Sequence, residues 1–200
     1  MENNTKTKIL DAALELFSKK GYDGTSMQDI ADSLHLSKTA LYRHYKSKDD
    51  IFDSLINDVE AYYSWHISSR FTPVPDSTDE LLNMSMRQVN FTVHDKKIIR
   101  IRKFLAQEQF RNGRIAKLAT AHFLSATEEM YTAIFAAMEE KNLLIKCDPR
   151  MLAFEYTAPV GALISLCDRE PDKTNDTLSR IREYFQHFIN IYGIKNTDRL

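Results

Sequence analysis

Lys38, Thr39, Tyr42 and Arg43 recur at spacings that place them on the outer face of one short helix. Together they offer an ammonium, a hydroxyl with its methyl, a phenol and a guanidinium. Such groups suit the edges of base pairs and the phosphates beside them. Lysine and arginine meet guanine or phosphate, threonine meets base edges or a thymine methyl, and tyrosine meets phosphate. Ala40, near the helix start, can also meet a thymine methyl. Ser37 is the expected N-cap, so free backbone amides and the positive end of the helix dipole face the same way. Lys48, in the first turn of the next helix, fits a phosphate clamp.

The charge distribution agrees. Residues 35–48 hold Lys38, Arg43, Lys46 and Lys48 with no acid, whereas residues 1–34 hold four lysines against six acids. The net charge is −1, so the basic patch is local. That pattern suits a protein touching a few phosphates rather than one coating a polyanion.

Three helices must position these residues. The first is expected over residues 5–20, with Leu10, Ala13, Leu14 and Phe17 on one face and Gly21 as its stop. The second starts at Thr25, read as a capping box with Gln28, and turns Met27, Ile30, Ala31 and Leu34 inward. A tight turn at Leu34-His35-Leu36 leads to the third, and the small Ala31 lets the helices approach closely. Two short helices in this relation form a helix-turn-helix, whose second helix lies in the major groove. Ser47 is expected to cap a long fourth helix reaching about residue 70.

Residues 5–55 resemble the tetracycline-repressor (TetR) family of one-component regulators. The resemblance is carried by Gly21, Thr25, Ser26, Ile30, Ala31, Ser37, Lys38, Leu41, Tyr42, His44, Tyr45, Ser47, Lys48 and Ile51, in the family's order and spacing. It implies a homodimer, a nine-helix Ω-like architecture, a ligand pocket in the C-terminal domain and repression relieved by an effector. It also implies DNA contacts at Thr25 and Ser26, then Lys38, Thr39, Tyr42 and His44, and finally Lys48. One position departs from the family pattern: His35 stands where the family has glycine. The turn is expected to need φ > 0 there, which glycine adopts freely and histidine at a cost.

Glycine and proline number five each and fall mostly between helical patterns, with no β-type alternation, so the chain reads as all-α with about nine helices. Residues 1–50 are expected to form the helix-turn-helix domain and residues 51–200 a sensing and dimerisation domain. In the last two helices Leu152, Tyr156, Leu163 and Leu166, and Ile181, Tyr184, Phe185, Phe188 and Tyr192, make an apolar arc wider than one surface helix buries. Pairing with a symmetry mate as a four-helix bundle would cover it, and the resemblance implies dimerisation through the same two helices. The pocket is implied among helices four to eight, with Tyr62, Trp65, Met84, Gln88, Phe91, Phe104, Phe123 and Tyr131 as candidates. Ordinary core packing is the alternative for each.

A second basic run comprises Lys96, Lys97, Arg100, Arg102, Lys103, Arg111, Arg114 and Lys117. A solvated helix face accounts for it, and the sharper alternative is an anionic effector or added attraction to DNA. Cys147 and Cys167 have no metal-type spacing, and His66, His94, His122 and His187 share no ligand pattern, so neither metal nor cofactor is expected. No nucleophile-and-base pair, phosphate loop or dinucleotide fingerprint is present, which leaves an enzyme reading without residues. No apolar run approaches membrane-spanning length and the N-terminus lacks a signal pattern, so a cytoplasmic protein is expected. The expected function is a dimeric repressor on a palindromic DNA operator, released by a small-molecule effector. The alternatives are a DNA-binding regulator controlled by a protein partner or by abundance, and a small all-α enzyme.

Overall fold

The computed structural model describes the backbone of residues 2–69, 73–111 and 113–194, and the side chains of residues 4–62, 73–111 and 113–194. Regular structure among them is helical. The order is α1 (Glu2–Lys20), α2 (Met27–Ser33), α3 (Lys38–Tyr42), α4 (Lys48–Ser69), α5 (Thr78–His94), α6 (Lys96–Glu108), α7 (Gly113–Thr120), α8 (Ala126–Glu140), α9 (Pro149–Arg169) and α10 (Thr174–Tyr192). A π turn, Ala121–Ser125, joins α7 to α8 without a break in the helical backbone, so the described residues form nine helices. Local chemistry sets the starts: Ser37, Ser77 and Asp148 each accept a backbone N–H at the head of their helix, and Ser47 does so for Asp50. Pro149 opens α9, while Pro159 sits within it without ending it.

The chain divides into two compact units. The first comprises Met1–Arg70 with Arg100–Ala119, and the second Phe71–Ile99 with Thr120–Leu200. The first unit therefore takes in all of α4 and most of α6 and α7, well beyond residue 50. Its core joins Ile9, Ala13, Leu14 and Phe17 of α1 to Ile30 and Ala31 of α2, Leu41 of α3, and Ile51, Phe52 and Leu55 of α4. Ile101, Phe104 and Leu105 of α6 close it. Phe52 stands edge-on to Phe17, Tyr22 and Phe104, with centroids 5.7, 4.7 and 5.7 Å away.

The second unit is built round α5, α8, α9 and α10. Tyr156 of α9 is fully buried, stacked on Phe185 of α10 at 4.4 Å and edge-on to Phe135 of α8 at 5.2 Å. Here the structure corrects part of the expected dimer seam. Leu152, Tyr156, Ile181, Phe185 and Phe188 are all at most 3% exposed within the single chain, so they are its own core. Leu163, Tyr184 and Tyr192 pack partly buried against that core, and Leu166 is partly buried. The helical period identified a real apolar stripe. Its partners are α5 and α8 of the same chain.

Candidate nucleic-acid interface

Three side chains fix the helix-turn-helix from within. Ile30, Ala31 and Leu41 are fully buried, so α2 and α3 are wedged against α1 through residues with no accessible surface. The turn between them carries His35 at φ 55°, the left-handed conformation expected where the family has glycine. The Leu36 amide donates to the Ala31 carbonyl at 2.9 Å and closes the turn.

Helix α2 is capped one residue later than the sequence reading has it. Ser26 Oγ accepts from the Asp29 amide at 3.1 Å, and the Asp29 carboxylate accepts from the Ser26 amide at 2.8 Å. Hydrogen bonds from the Ser26 side chain and then its backbone hold the Asp29 carboxyl below its ordinary value of 3.8. Thr25, which the capping-box reading used, is 1% exposed and donates its hydroxyl to the Gly21 carbonyl at 2.9 Å. It shapes the turn and presents nothing to DNA; Ser26 is the exposed member of the pair.

Helix α3 is short and is held between its cap and one inner anchor. Ser37 Oγ accepts from the Ala40 amide at 3.1 Å, Leu41 anchors the inner face, and Arg43 is the C-cap. Lys38, Thr39, Tyr42 and Arg43 are exposed together, Tyr42 at 43%, and none of the four side chains is engaged by another described residue. Tyr45, one turn after Leu41, is buried as core. His44 is half-buried, and its Nδ1 is buried without a partner among the described residues, so a phosphate contact from this ring has to use Nε2.

Lys48, expected as a phosphate clamp, is engaged within its own unit. Its Nζ donates to the carbonyls of Tyr22 and Thr25, both at 2.7 Å, and lies 4.0 Å from the Tyr22 ring centroid. An ammonium has three N–H groups, so one remains for a phosphate. Three arginines of the second basic run are paired with acids of the first unit. Arg100 pairs with Glu15 at 3.4 Å, Arg111 with Asp23 at 2.6 Å and Glu108 at 2.7 Å, and Arg114 with Glu60. Arg102 is 4% exposed. These cations hold the first unit together, which removes the reason to assign them a bound anion.

Residues 9–55 match the sequence model of bacterial regulatory proteins of the tetR family. Residues 9–55 are thus similar to the DNA-binding domain of that family. The chain is 43% identical over 58 residues to the biofilm operon icaADBC HTH-type negative transcriptional regulator IcaR of Staphylococcus epidermidis, covering 29% of this chain and 31% of that one. Against the Staphylococcus aureus IcaR the identity is 49% over 51 residues, covering 26% of this chain and 27% of that one. The match thus spans about a third of these relatives. Solved structures extend the likeness to the whole fold. SmeT in complex with triclosan gives a TM-score of 0.70 at 17% identity over 96% of this chain and 93% of that one. A transcriptional regulator from Saccharomonospora viridis in complex with choline gives 0.70 at 18%, covering 96% of this chain and all of that one.

In the second unit a cleft of about 260 Å³ is lined by Met84, Arg87, Gln88, Met130 and Tyr131. Met84, Gln88 and Tyr131 come together there as candidates from the sequence. Arg87 and Met130 were missed, although Arg87 lies one turn from Met84 on α5 and Met130 adjoins Tyr131 on α8. The remaining candidates lie elsewhere. Phe104 is fully buried in the core of the first unit, Tyr62 packs against that core, and Phe91 and Phe123 are about 40% exposed and line no part of the cleft. The side chain of Trp65 falls outside the described residues. Behind the cleft the Tyr131 and Tyr156 hydroxyls both donate to Ser85 Oγ, at 2.9 and 2.8 Å. Burial raises the Tyr156 phenol well above its ordinary value of 10.0, so it stays a neutral donor. Among the described residues no helix is long and apolar enough to cross a membrane, and no group of three or more His, Cys, Asp or Glu could hold a metal ion.

Proposed function

We propose that this chain is a cytoplasmic one-component transcriptional repressor that binds a palindromic DNA operator as a homodimer and is released by a small-molecule effector. The observation that carries the reading is the outer face of α3, where Lys38, Thr39, Tyr42 and Arg43 stand exposed and unengaged above a fully buried Leu41. A helix held rigidly from behind, with four polar side chains in front, is what reading base edges in a major groove requires. Ser26 adds a phosphate contact at the start of α2, and Lys48 adds another with its remaining N–H. The names of the IcaR relatives favour repression over activation.

Dimerisation falls to the exposed side of the last two helices. Met151 and Phe154 lie on α9 opposite its buried stripe, 51% and 45% exposed, and Ile191 on α10 is 51% exposed. Apolar surface of that size on a helix pair is covered by a second copy in a two-fold arrangement. The effector seat is the cleft between α5 and α8. Two thioethers, a phenol, an amide and a guanidinium suit an amphipathic organic molecule with one hydrogen-bond-accepting or anionic end. The two fold neighbours solved with triclosan and with choline support a small-molecule effector over control by a protein partner.

The test is fluorescence anisotropy on a duplex from the chain's own promoter region. Lys38→Ala and Tyr42→Ala are each expected to weaken sequence-selective binding by about tenfold or more while the dimer and the melting temperature persist. Loss of the dimer in either variant, or unchanged binding in both, contradicts the assignment.

A further inference from the structure

The end of α6 carries a polar latch that the DNA-reading face does not itself use. Glu108, the last residue of α6, is 5% exposed, and each of its carboxylate oxygens has its own donor. Oε1 accepts from the Tyr22 backbone amide at 2.8 Å, and Oε2 accepts from Arg111 Nε at 2.7 Å. Arg111 in turn reaches Asp23 at 2.6 Å and lies 4.4 Å from the centroid of the Tyr22 ring. Gln107 adds a bond from its Nε2 to the Ser18 carbonyl at 2.7 Å. All of this grips residues 18–23, the end of α1 and the turn leading to α2.

Helix α4 grips the same turn. Lys48 donates to the Tyr22 and Thr25 carbonyls, and the Tyr22 hydroxyl donates to Asp49. Gly21 at φ 70° lets the backbone pass so close that an added β-carbon would lie 3.3 Å from both the Gln107 and Glu108 side-chain oxygens. The turn is therefore fixed by α4 and by α6, and Ser26, the cap of α2, follows it directly.

We infer that Glu108 and Arg111 are positioning residues for DNA binding: they lock the Gly21–Thr25 turn to the end of α6, and so set how α2, α3 and the Lys48 ammonium are presented. A buried carboxylate with two donors has one arrangement, and removing Arg111 leaves that carboxylate with little solvent to replace it. The element that bears it is also the route by which the chain enters this unit, since α6 begins in the second unit and ends at the latch.

The inference rests on the DNA-binding reading, and the experiment separates the two. The probe is a duplex recovered by the wild-type chain from a random-sequence pool, and affinities are compared well below the melting temperature of the weakest variant. Glu108→Ala is expected to bind about tenfold or more weakly, because the Tyr22 amide loses its acceptor. Glu108→Gln is expected to recover most of that loss, since its amide oxygen still accepts from Tyr22. A purely structural role would move the melting temperature and leave the affinity of the folded protein alone. Wild-type affinity in Glu108→Ala overturns the inference, as does failure of Glu108→Gln to recover binding. Should Glu108→Ala not fold, Arg111→Ala removes the more exposed half of the latch and is expected to weaken binding several-fold; unchanged affinity there overturns it equally. Failure of the wild type to recover any duplex counts against DNA binding itself.

Discussion

Phe154→Ala is expected to weaken the dimer by about a hundredfold without unfolding the protomer. A phenylalanine offers roughly 200 Å² of surface, and Phe154 is 45% exposed in the single chain, leaving about 90 Å² for a partner to cover. At about 25 cal/mol per Å² that burial contributes about 2 kcal/mol. A two-fold axis counts it on both protomers, which gives about 4 kcal/mol as an upper limit. Alanine keeps its β-carbon, and interfaces convert area to affinity incompletely, so about 3 kcal/mol, or a hundredfold, is the expected loss. Tyr156→Ala is the contrasting control. That ring is fully buried within the chain, so its loss should cost about 3–5 kcal/mol of fold stability. Sedimentation equilibrium across a dilution series measures the dimer constant, and thermal unfolding reports the fold. A Phe154→Ala dimer constant within threefold of wild type would refute the reasoning, because the exposed face of α9 would then not be the seam.

Other consequences are as direct. Ser26→Ala removes the cap of α2 and should cost about 1 kcal/mol in chemical unfolding. The same change should let the Asp29 carboxyl rise back towards 3.8, read by carbon NMR titration; an unmoved titration would mean that Ser26 does not hold it. Because the folded value is depressed, the contribution of Asp29 to stability is present above 3.8 and is lost as the pH falls through the lower folded value. His35→Gly relieves a left-handed histidine and should raise stability by roughly 0.5–1 kcal/mol net of the greater entropy of the unfolded glycine; a lower melting temperature would contradict the strain. Any small molecule that raises the melting temperature of the wild type should lose that effect in Met130→Trp, which fills the cleft. An undiminished shift would put the effector elsewhere.

Much of the reading face was legible because its residues follow local rules. Ser37 caps α3, Leu41 is the inward anchor one turn on, and the spacing of Lys38, Thr39, Tyr42 and Arg43 puts them outside. Even the φ of His35 was readable, since the turn geometry demands a left-handed residue whatever occupies it. What the sequence hid was choice of partner. Thr25 and Ser26 are both competent caps, and only the approach of Gly21 to α6 decides that Thr25 turns inward. The stripe of Tyr156, Phe185 and Phe188 has the same period whether its neighbour is a second copy or α8 of its own chain; the packing of Phe135 against it decides. Arg111 and Arg114 look like a solvated basic run until Asp23 and Glu60, some 88 and 54 residues away in sequence, are brought beside them. Contacts over that range leave no trace in local periodicity.

The central claim is that α3 reads DNA with its outer face. Its most direct test is the salt dependence of binding to a duplex that the wild-type chain selects from a random pool. Lys38, Arg43 and Lys48 give three cations per protomer, so the logarithm of the affinity should fall with the logarithm of salt at a slope of about −5 for a dimer. The slope should shrink by about 2 in Lys38→Ala, once for each protomer. Selection that enriches no sequence, or a slope that Lys38→Ala leaves unchanged, would contradict the account.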